Sequence, residues 1–277
     1  MFLLKNMGVT VSLGELLPQI VSLAHAAGEA TMKIYSSDDH GTTYKADSSP
    51  LTLADTASHA IISKGLNALN NDVPVLSEES DQIDYEMREM WSLYWLIDPL
   101  DGTKEFVKRN DEFTVNIALI QDGAPVLGVV FAPALGFSYH AAKGAGAFRQ
   151  DGNGAEPSPI RVGDYREGRL KVMITRSHTS PELMDFLKKV GDCEIVSAGS
   201  SLKLCRVADG GAHFYPRLGP TMEWDTAAAH CVVEQAGGAV TDLSGDTLRY
   251  NKPDLHNPYF MVTGNPAYPW RELVQGD

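Results

Sequence analysis

Asp98-Pro99-Leu100-Asp101-Gly102-Thr103 follows an apolar, aromatic run at residues 91–97 and sets two carboxylates and a hydroxyl at a sharp turn. Hard divalent cations take oxygen ligands, and a turn lets Asp98, the carbonyl of Leu100 and Asp101 converge where a regular strand would point them apart. Pro99 fixes one backbone angle and gives up its N–H, while Gly102 tolerates the left-handed or close-approach geometry that an ion beneath the backbone requires. The same residue types are the ordinary turn formers, so these six residues alone equally describe a strand-to-loop turn capped by aspartates. Two other places favour the metal reading. Residues 73–76 read as a short buried strand running into Ser77-Glu78-Glu79-Ser80, and Glu223-Trp224-Asp225 opens an apolar stretch, residues 226–233, that reads as a helix closed by Gly237-Gly238. Three element ends each offer an acid.

Upstream of the turn, residues 13–35 carry apolar side chains at helical spacing (Leu16, Ile20, Leu23, Ala27, Ala30, Ile34) and read as a long helix despite Pro18 near its start. Residues 52–69 read as a second, with Thr52 as N-cap and Asp55 three positions on as a capping-box acid. Downstream, residues 113–120, 126–131 and 137–141 read as strands of an antiparallel meander, separated by Asp122-Gly123 and by residues 133–136. Residues 150–159 form a turn-rich, weakly hydrophobic stretch that marks a boundary. It divides an N-terminal α+β domain, 1–155, from a C-terminal α/β domain, 156–277. In the latter, strands at 170–175, 193–197, 212–215, 239–242 and 259–263 alternate with helices near 180–190, 201–207 and 224–236, a pattern that favours an α/β layer.

With 277 residues and 43% hydrophobic composition the chain can bury a large core. Its 23 basic against 36 acidic residues give a net charge of -13, which opposes general affinity for nucleic acid or anionic lipid. An anionic substrate must then be captured locally, and bound Mg2+ is the natural device, because its charge reverses the field inside an acidic pocket. Cys193, Cys205 and Cys231 lack metal-type spacing and suit a reducing cytoplasm better than a disulfide framework. The opening residues 1–7 hold too short an apolar run for a signal peptide, and no apolar stretch reaches the roughly 18 residues of a membrane span. A soluble cytoplasmic protein is expected, with peripheral attachment at the inner membrane left open.

The segment Trp95-Leu-Ile-Asp-Pro-Leu-Asp-Gly-Thr-Lys-Glu-Phe106, with Trp224-Asp-Thr-Ala-Ala228 and the following Gly237-Gly238, resembles the paired signatures of the inositol monophosphatase superfamily of Mg2+-dependent, lithium-sensitive phosphatases. Within it, residues 102–110, Phe113-Thr-Val-Asn116, Ser200-Ser-Leu-Lys203 and Tyr215-Pro-Arg-Leu-Gly-Pro-Thr221 resemble bacterial 3'(2'),5'-bisphosphate nucleotidases of the CysQ type. The similarity runs from about residue 45 to about residue 242. One departure is Ala229, where the family usually has glycine after Trp-Asp-x-Ala-Ala.

The resemblance implies an α/β (α+β) fold, a layered α-β-α-β-α sandwich with its site between the halves. It implies two or three Mg2+ ions per site: Glu78, Asp98 and the Leu100 carbonyl would hold one, Asp98, Asp101 and Asp225 a second, with Asp98 bridging. Asp55, Thr103 and Glu78 are the implied catalytic residues, the Thr103 hydroxyl being oriented by Asp55 to position the attacking water. Glu78, Leu100, Asp101, Gly102, Thr103 and Asp225 would also face the substrate, and His178, Ser200, Lys203 and Arg217 would contact a nucleotide. The implied reaction is hydrolysis of the 3'-phosphate of 3'-phosphoadenosine 5'-phosphate to AMP and phosphate, by a monomer or homodimer. An inositol monophosphatase or fructose-1,6-bisphosphatase-like sugar phosphatase is the alternative.

Each of these residues also has a plainer reading. Asp55 is equally a first-turn helix acid, and the two roles are compatible. Asp225 suits a helix N-terminus through the macrodipole. Ser200 with Lys203 one turn later, after Gly199, makes a phosphate cradle of backbone N–H groups and an ammonium, and Arg217 can clamp phosphate bidentately, but Lys and Arg are also common solvated residues. A lone His178 is more often a surface or core residue. Lys104, Lys108 and Arg109 either attract phosphate or line an exposed loop. An aspartyl-phosphate mechanism would place its two acids two residues apart, whereas Asp98 and Asp101 are three apart. A catalytically silent nucleotide sensor would not need every ligand position intact.

Overall fold

Residues 2–4, 9–37, 41–44, 50–80, 83–176 and 180–274 are described by the structure, a computed structural model. A hairpin of β1 (Phe2–Leu4) and β2 (Val9–Val11) leads into α1 (Leu13–Tyr35). Ser12 and Glu15 close a capping box at its start, Glu15 N donating to Ser12 Oγ at 3.2 Å and Ser12 N to Glu15 Oε2 at 2.7 Å. Pro18 lies inside the helix without ending it. After β3 (Thr43–Tyr44) and β4 (Pro50–Leu51) comes α2 (Leu53–Leu69), capped by Thr52 and Asp55 as expected. Then follow β5 (Val75–Ser77), α3 (Tyr85–Arg88), β6 (Leu93–Asp101) and α4 (Thr103–Val107).

The meander is β7 (Thr114–Gln121), β8 (Ala124–Ala132), β9 (Phe137–Ala142), β10 (Gly146–Asp151) and β11 (Ser158–Pro159). The second half runs β12 (Lys171–Thr175), α5 (Pro181–Val190), β13 (Glu194–Ala198), α6 (Leu202–Ala208), β14 (Phe214–Arg217), α7 (Ala227–Gln235), β15 (Ala239–Asp242), β16 (Phe260–Thr263) and α8 (Arg271–Val274).

Seven strands form one sheet in the order β11-β10-β9-β8-β7-β6-β5, antiparallel except for the β5–β6 pair. Five form a second, β13-β12-β14-β16-β15, in which β12 pairs parallel with both neighbours and the rest is antiparallel. The layers are legible in side-chain alternation. Trp95, Ile97, Ile117 and Val129 pack on Leu16, Ile20, Ile62 and Leu66 of α1 and α2, while Leu96, Ala118 and Val130 share a core with Ala228 and Val232 of α7 and with Leu202 and Cys205 of α6. That core continues into Tyr215, Phe260 and Val262 of the second sheet, whose far side (Val172, Phe214, Met261) is covered by Phe186 of α5 and by Trp270 just before α8. The result is the five-layer α-β-α-β-α sandwich. Strands covered on both faces read as unbroken apolar runs, which is why residues 93–97 show no alternation.

One close approach sets the middle layer. A Cβ on Gly128 of β8 would lie 2.2 Å from the Ala228 carbonyl oxygen, so α7 rests directly on the sheet. Ala229 is wholly buried one position on, so its methyl is accommodated in the core.

Three local expectations change. The turn-rich stretch 150–159 contains the end of β10 and all of β11, both paired into the first sheet, and the chain passes to the second sheet only afterwards. Helix α7 starts at Ala227 rather than Trp224, because Asp225 folds back to accept from Met222 N at 2.9 Å and makes a turn there. Strand β6 continues to Asp101 rather than ending at Ile97.

Candidate active site

The β6 extension explains how acids three residues apart meet. β6 pairs with β7 regularly as far as Asp98 opposite Asn116, and pairing resumes with Asp101 opposite Thr114. Three steps on one strand therefore match two on the other, a bulge with one extra residue. In a regular strand residues i and i+3 face opposite sides; the added residue turns Asp98 and Asp101 to the same one. Pro99 sits in the bulge, where its missing N–H breaks no ladder bond, and its carbonyl accepts from Ser58 Oγ at 2.7 Å. Asp98 Oδ1 accepts from Leu100 N at 3.0 Å. Gly102 takes φ 91°, a left-handed angle that starts α4. Below it Leu100, Phe106, Phe113 and Tyr35 form a small apolar cluster under the turn.

Carboxylate oxygens of Asp98, Asp101 and Asp225 lie within 4.8 Å of one another. Glu78 joins from β5: its N–H donates to the Ile97 carbonyl at 3.2 Å, carrying the parallel pairing one residue further and bringing it beside Asp98. Burial, then the charges of Glu78, Asp101 and Asp225, hold the Asp98 carboxyl well above the usual range. Burial and Asp101 push Asp225 up to about 8. Asp101 is also raised by burial, but Lys203, the Ser200 hydroxyl and Ser201 N oppose the rise. Crowded acids whose ionisation is opposed by burial and by one another, all offering hard oxygen, fit a divalent cation.

Asp55 divides its two oxygens between the two roles anticipated for it. Oδ2 accepts from Thr52 N at 2.8 Å and Thr52 Oγ1 at 2.6 Å; Oδ1 accepts from Thr103 Oγ1 at 3.3 Å. The Thr103 hydroxyl is equally 3.3 Å from the Leu100 carbonyl oxygen, so Thr103, Asp55 and Leu100 meet at the end of the bulge. Burial raises the Asp55 carboxyl above its ordinary value, with the Thr52 hydrogen bonds opposing.

The second half supplies the basic side. Ser200, at φ 52°, donates from Oγ to Asp101 Oδ2 at 2.6 Å, and Ser201 N donates to the same oxygen at 2.6 Å. The anion received ahead of α6 is thus the Asp101 carboxylate, and Gly199 N likewise donates to Glu112 Oε2 at 2.8 Å. Two backbone donors expected to cradle phosphate are engaged by acids. Lys203 Nζ donates to the Ser200 carbonyl, and burial first lowers its pKa to about 8, Asp101 opposing. Arg217 donates through Nη2 to the Pro220 carbonyl at 2.7 Å and keeps a buried Nε with no hydrogen-bond partner. Lys203 and Arg217 line one cavity of about 140 Å³ with Asp101, Gly102 and Asp225. Arg217 also borders a second, of about 720 Å³, with Lys104, Leu183, Tyr215 and Leu218. His178 lies outside the described residues. Of the basic run, Arg109 turns away, donating to the Ser37 carbonyl at 2.6 Å beyond the end of α1.

Several residues of the site carried no assigned role in the sequence. Asn116 Nδ2 reaches Asp101 Oδ2 at 3.5 Å, and Ser201 Oγ donates to Asn116 Oδ1 at 2.9 Å. Thr114 and Asn116 stand two apart in an otherwise apolar strand, and that interruption was the available signal. Glu112 had none: its carboxylate takes Arg176 Nε and Nη2, each at 2.7 Å, besides Gly199 N, and so ties the 108–113 loop to the Gly199-Ser200-Ser201 turn.

The inositol monophosphatase family model matches residues 12–270. The 3'(2'),5'-bisphosphate nucleotidase CysQ of Salmonella typhimurium is 49% identical over 250 residues, 90% of this chain and 99% of that protein. Its Escherichia coli K12 counterpart is 48% identical with the same coverage. Among solved structures, CysQ from Bacteroides thetaiotaomicron, a bacterial member of the inositol monophosphatase family, matches with a TM-score of 0.80 at 41% identity, over 89% of this chain and 96% of that one.

Proposed function

The chain belongs to the inositol monophosphatase family, and from that premise we propose that it is a Mg2+-dependent phosphomonoesterase hydrolysing 3'-phosphoadenosine 5'-phosphate to AMP and phosphate. The observation that carries the reading is a single cavity in which the acids Asp101 and Asp225 face the cations Lys203 and Arg217. The near full-length identity to proteins named bisphosphate nucleotidases supports the same choice of substrate.

Glu78, Asp98, the Leu100 carbonyl, Asp101 and Asp225 are the residues that would hold two or three Mg2+ ions. Bound there, the ions supply a water of lowered pKa and neutralise charge on the departing oxygen. Thr103 Oγ1, giving its hydrogen to Asp55 Oδ1, presents a lone pair that accepts from the attacking water and orients it. The raised basicity of Asp55 suits it to receive a proton through that hydroxyl. Lys203 and Arg217 fix the remote 5'-phosphate by charge, and the larger cavity beside Tyr215 and Leu218 receives the nucleoside. An inositol phosphate has no second anion for Lys203 and Arg217 and no base for that cavity. The free thiols Cys193, Cys205 and Cys231 suit the cytoplasm, where we place the protein, and none of the described helices is long and apolar enough to cross a membrane.

Phosphate release from the nucleotide bisphosphate and from inositol 1-phosphate, with and without Mg2+, tests the reading. The expected result is Mg2+-dependent turnover with kcat/KM at least roughly tenfold higher for the nucleotide. The reverse preference overturns the substrate assignment, and turnover that survives chelation overturns the mechanism.

A further inference from the structure

Residues 249–257, between β15 and β16, supply none of the proposed ligands, yet they join α3, which follows Glu78 in the chain, to the turn just before Asp225. On one side is Arg88, in the segment that follows Glu78. Its buried guanidinium donates to Asn251 Oδ1 at 2.9 Å and to the carbonyls of Lys252 and Pro253 at 2.7 and 3.0 Å, and Asn251 Nδ2 donates back to the Arg88 carbonyl at 2.7 Å. On the other side is Glu223, wholly buried two residues before Asp225. Its carboxylate accepts from Asn251 N at 2.7 Å, Lys252 N at 3.0 Å and Lys252 Nζ at 2.6 Å. Asn257 completes the clasp, donating from its backbone to the Thr221 carbonyl at 2.8 Å and from Nδ2 to the Met222 carbonyl at 2.7 Å. Met222 N in turn holds Asp225 Oδ2 at 2.9 Å. Asn251 sits at a left-handed φ of 67°, which its two engaged amide groups stabilise.

From this network we propose that the 249–257 loop is a brace, with Lys252 and Glu223 as positioning residues that set Asp225 against the Glu78 segment for divalent-cation binding. The inference rests on the Mg2+ reading above. A buried ion pair adds little net stability over an apolar replacement, so its value here is directional. Ligand position governs affinity in sites of this kind, and groups behind the ligands change it strongly. Electrostatics alone predicts the opposite sign: deleting a lysine charge near a cation site should tighten binding, whereas losing the brace should weaken it.

The experiment measures Mg2+ and Mn2+ binding to the metal-free protein by calorimetry without substrate, together with KM for the nucleotide at saturating Mg2+ and Tm. Lys252→Met is expected to weaken cation binding about tenfold while KM stays within about twofold. Lys252→Arg restores the affinity, and Ile20→Ala, a core cavity in α1 far from the site, lowers Tm without changing it. Should Lys252→Met fail to fold, Lys252→Gln is read the same way. Unchanged or tighter cation binding in Lys252→Met, or an equal loss in Ile20→Ala, overturns the brace. A wild-type protein that binds neither cation overturns the metal reading itself, a separate outcome.

Discussion

Asp98 and Asp101 stand at the end of a strand paired on both sides, whereas Ser200 and Asp225 stand on turns that no ladder holds and Lys203 in the first turn of the short helix α6. Backbone pairing and one bulge position the first pair, with Glu78 delivered by the adjacent parallel strand. Side-chain contacts between distant segments position the second group: Glu112 and Arg176 hold the turn at Gly199, and Glu223 and Lys252 hold the turn at Asp225. The strand side gathers charge that repels itself, which demands a rigid frame. The turn side adds one more acid, Asp225, and carries Ser200 and Lys203, the residues proposed to meet the substrate.

Asp98→Asn strikes the strand side hardest. Turnover should fall at least roughly 10³-fold, since the residue expected to bridge the cations loses its charge. Removing one of several repelling buried acids should at the same time raise the Tm of the metal-free protein, so kcat and a melting curve in chelator should move in opposite directions. Lys203→Met strikes the turn side. KM for the nucleotide should rise about 10- to 100-fold, the scale of a lost charged hydrogen bond, with the Mg2+ dependence changed far less.

The pH dependence of folding probes the contact between the two sides without mutation. Burial and the Asp101 charge push the Asp225 carboxyl up to about 8 in the fold, against about 4 for an ordinary aspartate, so the metal-free folded state binds more protons than the unfolded chain across that window. Stability in chelator should therefore fall as pH rises from about 4 to about 8, and saturating Mg2+ should flatten the slope. Urea midpoints at several pH values test this; an unchanged slope with Mg2+ would place the cations elsewhere. Smallest is Arg176→Met, which frees a half-exposed guanidinium from Glu112: a rise of about two- to fivefold in KM is expected, because exposed pairs contribute little.

How much was visible beforehand follows the same division. The helix at Leu13–Tyr35 was readable to the residue, because a helical apolar stripe is a local signal. The capping contact of Asp55 was legible for the same reason, its partner Thr52 lying three residues away, whereas its contact with Thr103 spans 48 residues and was implied only by the resemblance. Strand β10 was hidden by the glycines and polar residues near its ends, which resemble a linker until a neighbouring strand is present to pair with them. Glu112, Asn116 and Lys252 carried no role because the contacts that tie them to the site, to Gly199, Asp101 and Glu223, span 87, 15 and 29 residues of chain.

Residue order alone placed acids at three element ends and marked most helices and strands, since spacing within a segment dictates local conformation and burial pattern, and the motifs at Asp98 and Asp225 carried the resemblance that implied the family and its layers. Only the packed molecule decided that a single inserted residue in β6 would turn two acids to one side, that Asp101 would accept the N–H ahead of α6, and that a distant loop would clasp residues 221–223 just before Asp225. Those outcomes depend on which backbone and side-chain groups become neighbours once the sheets and helices stack, and a buried group must find its partner among them wherever it lies in the sequence.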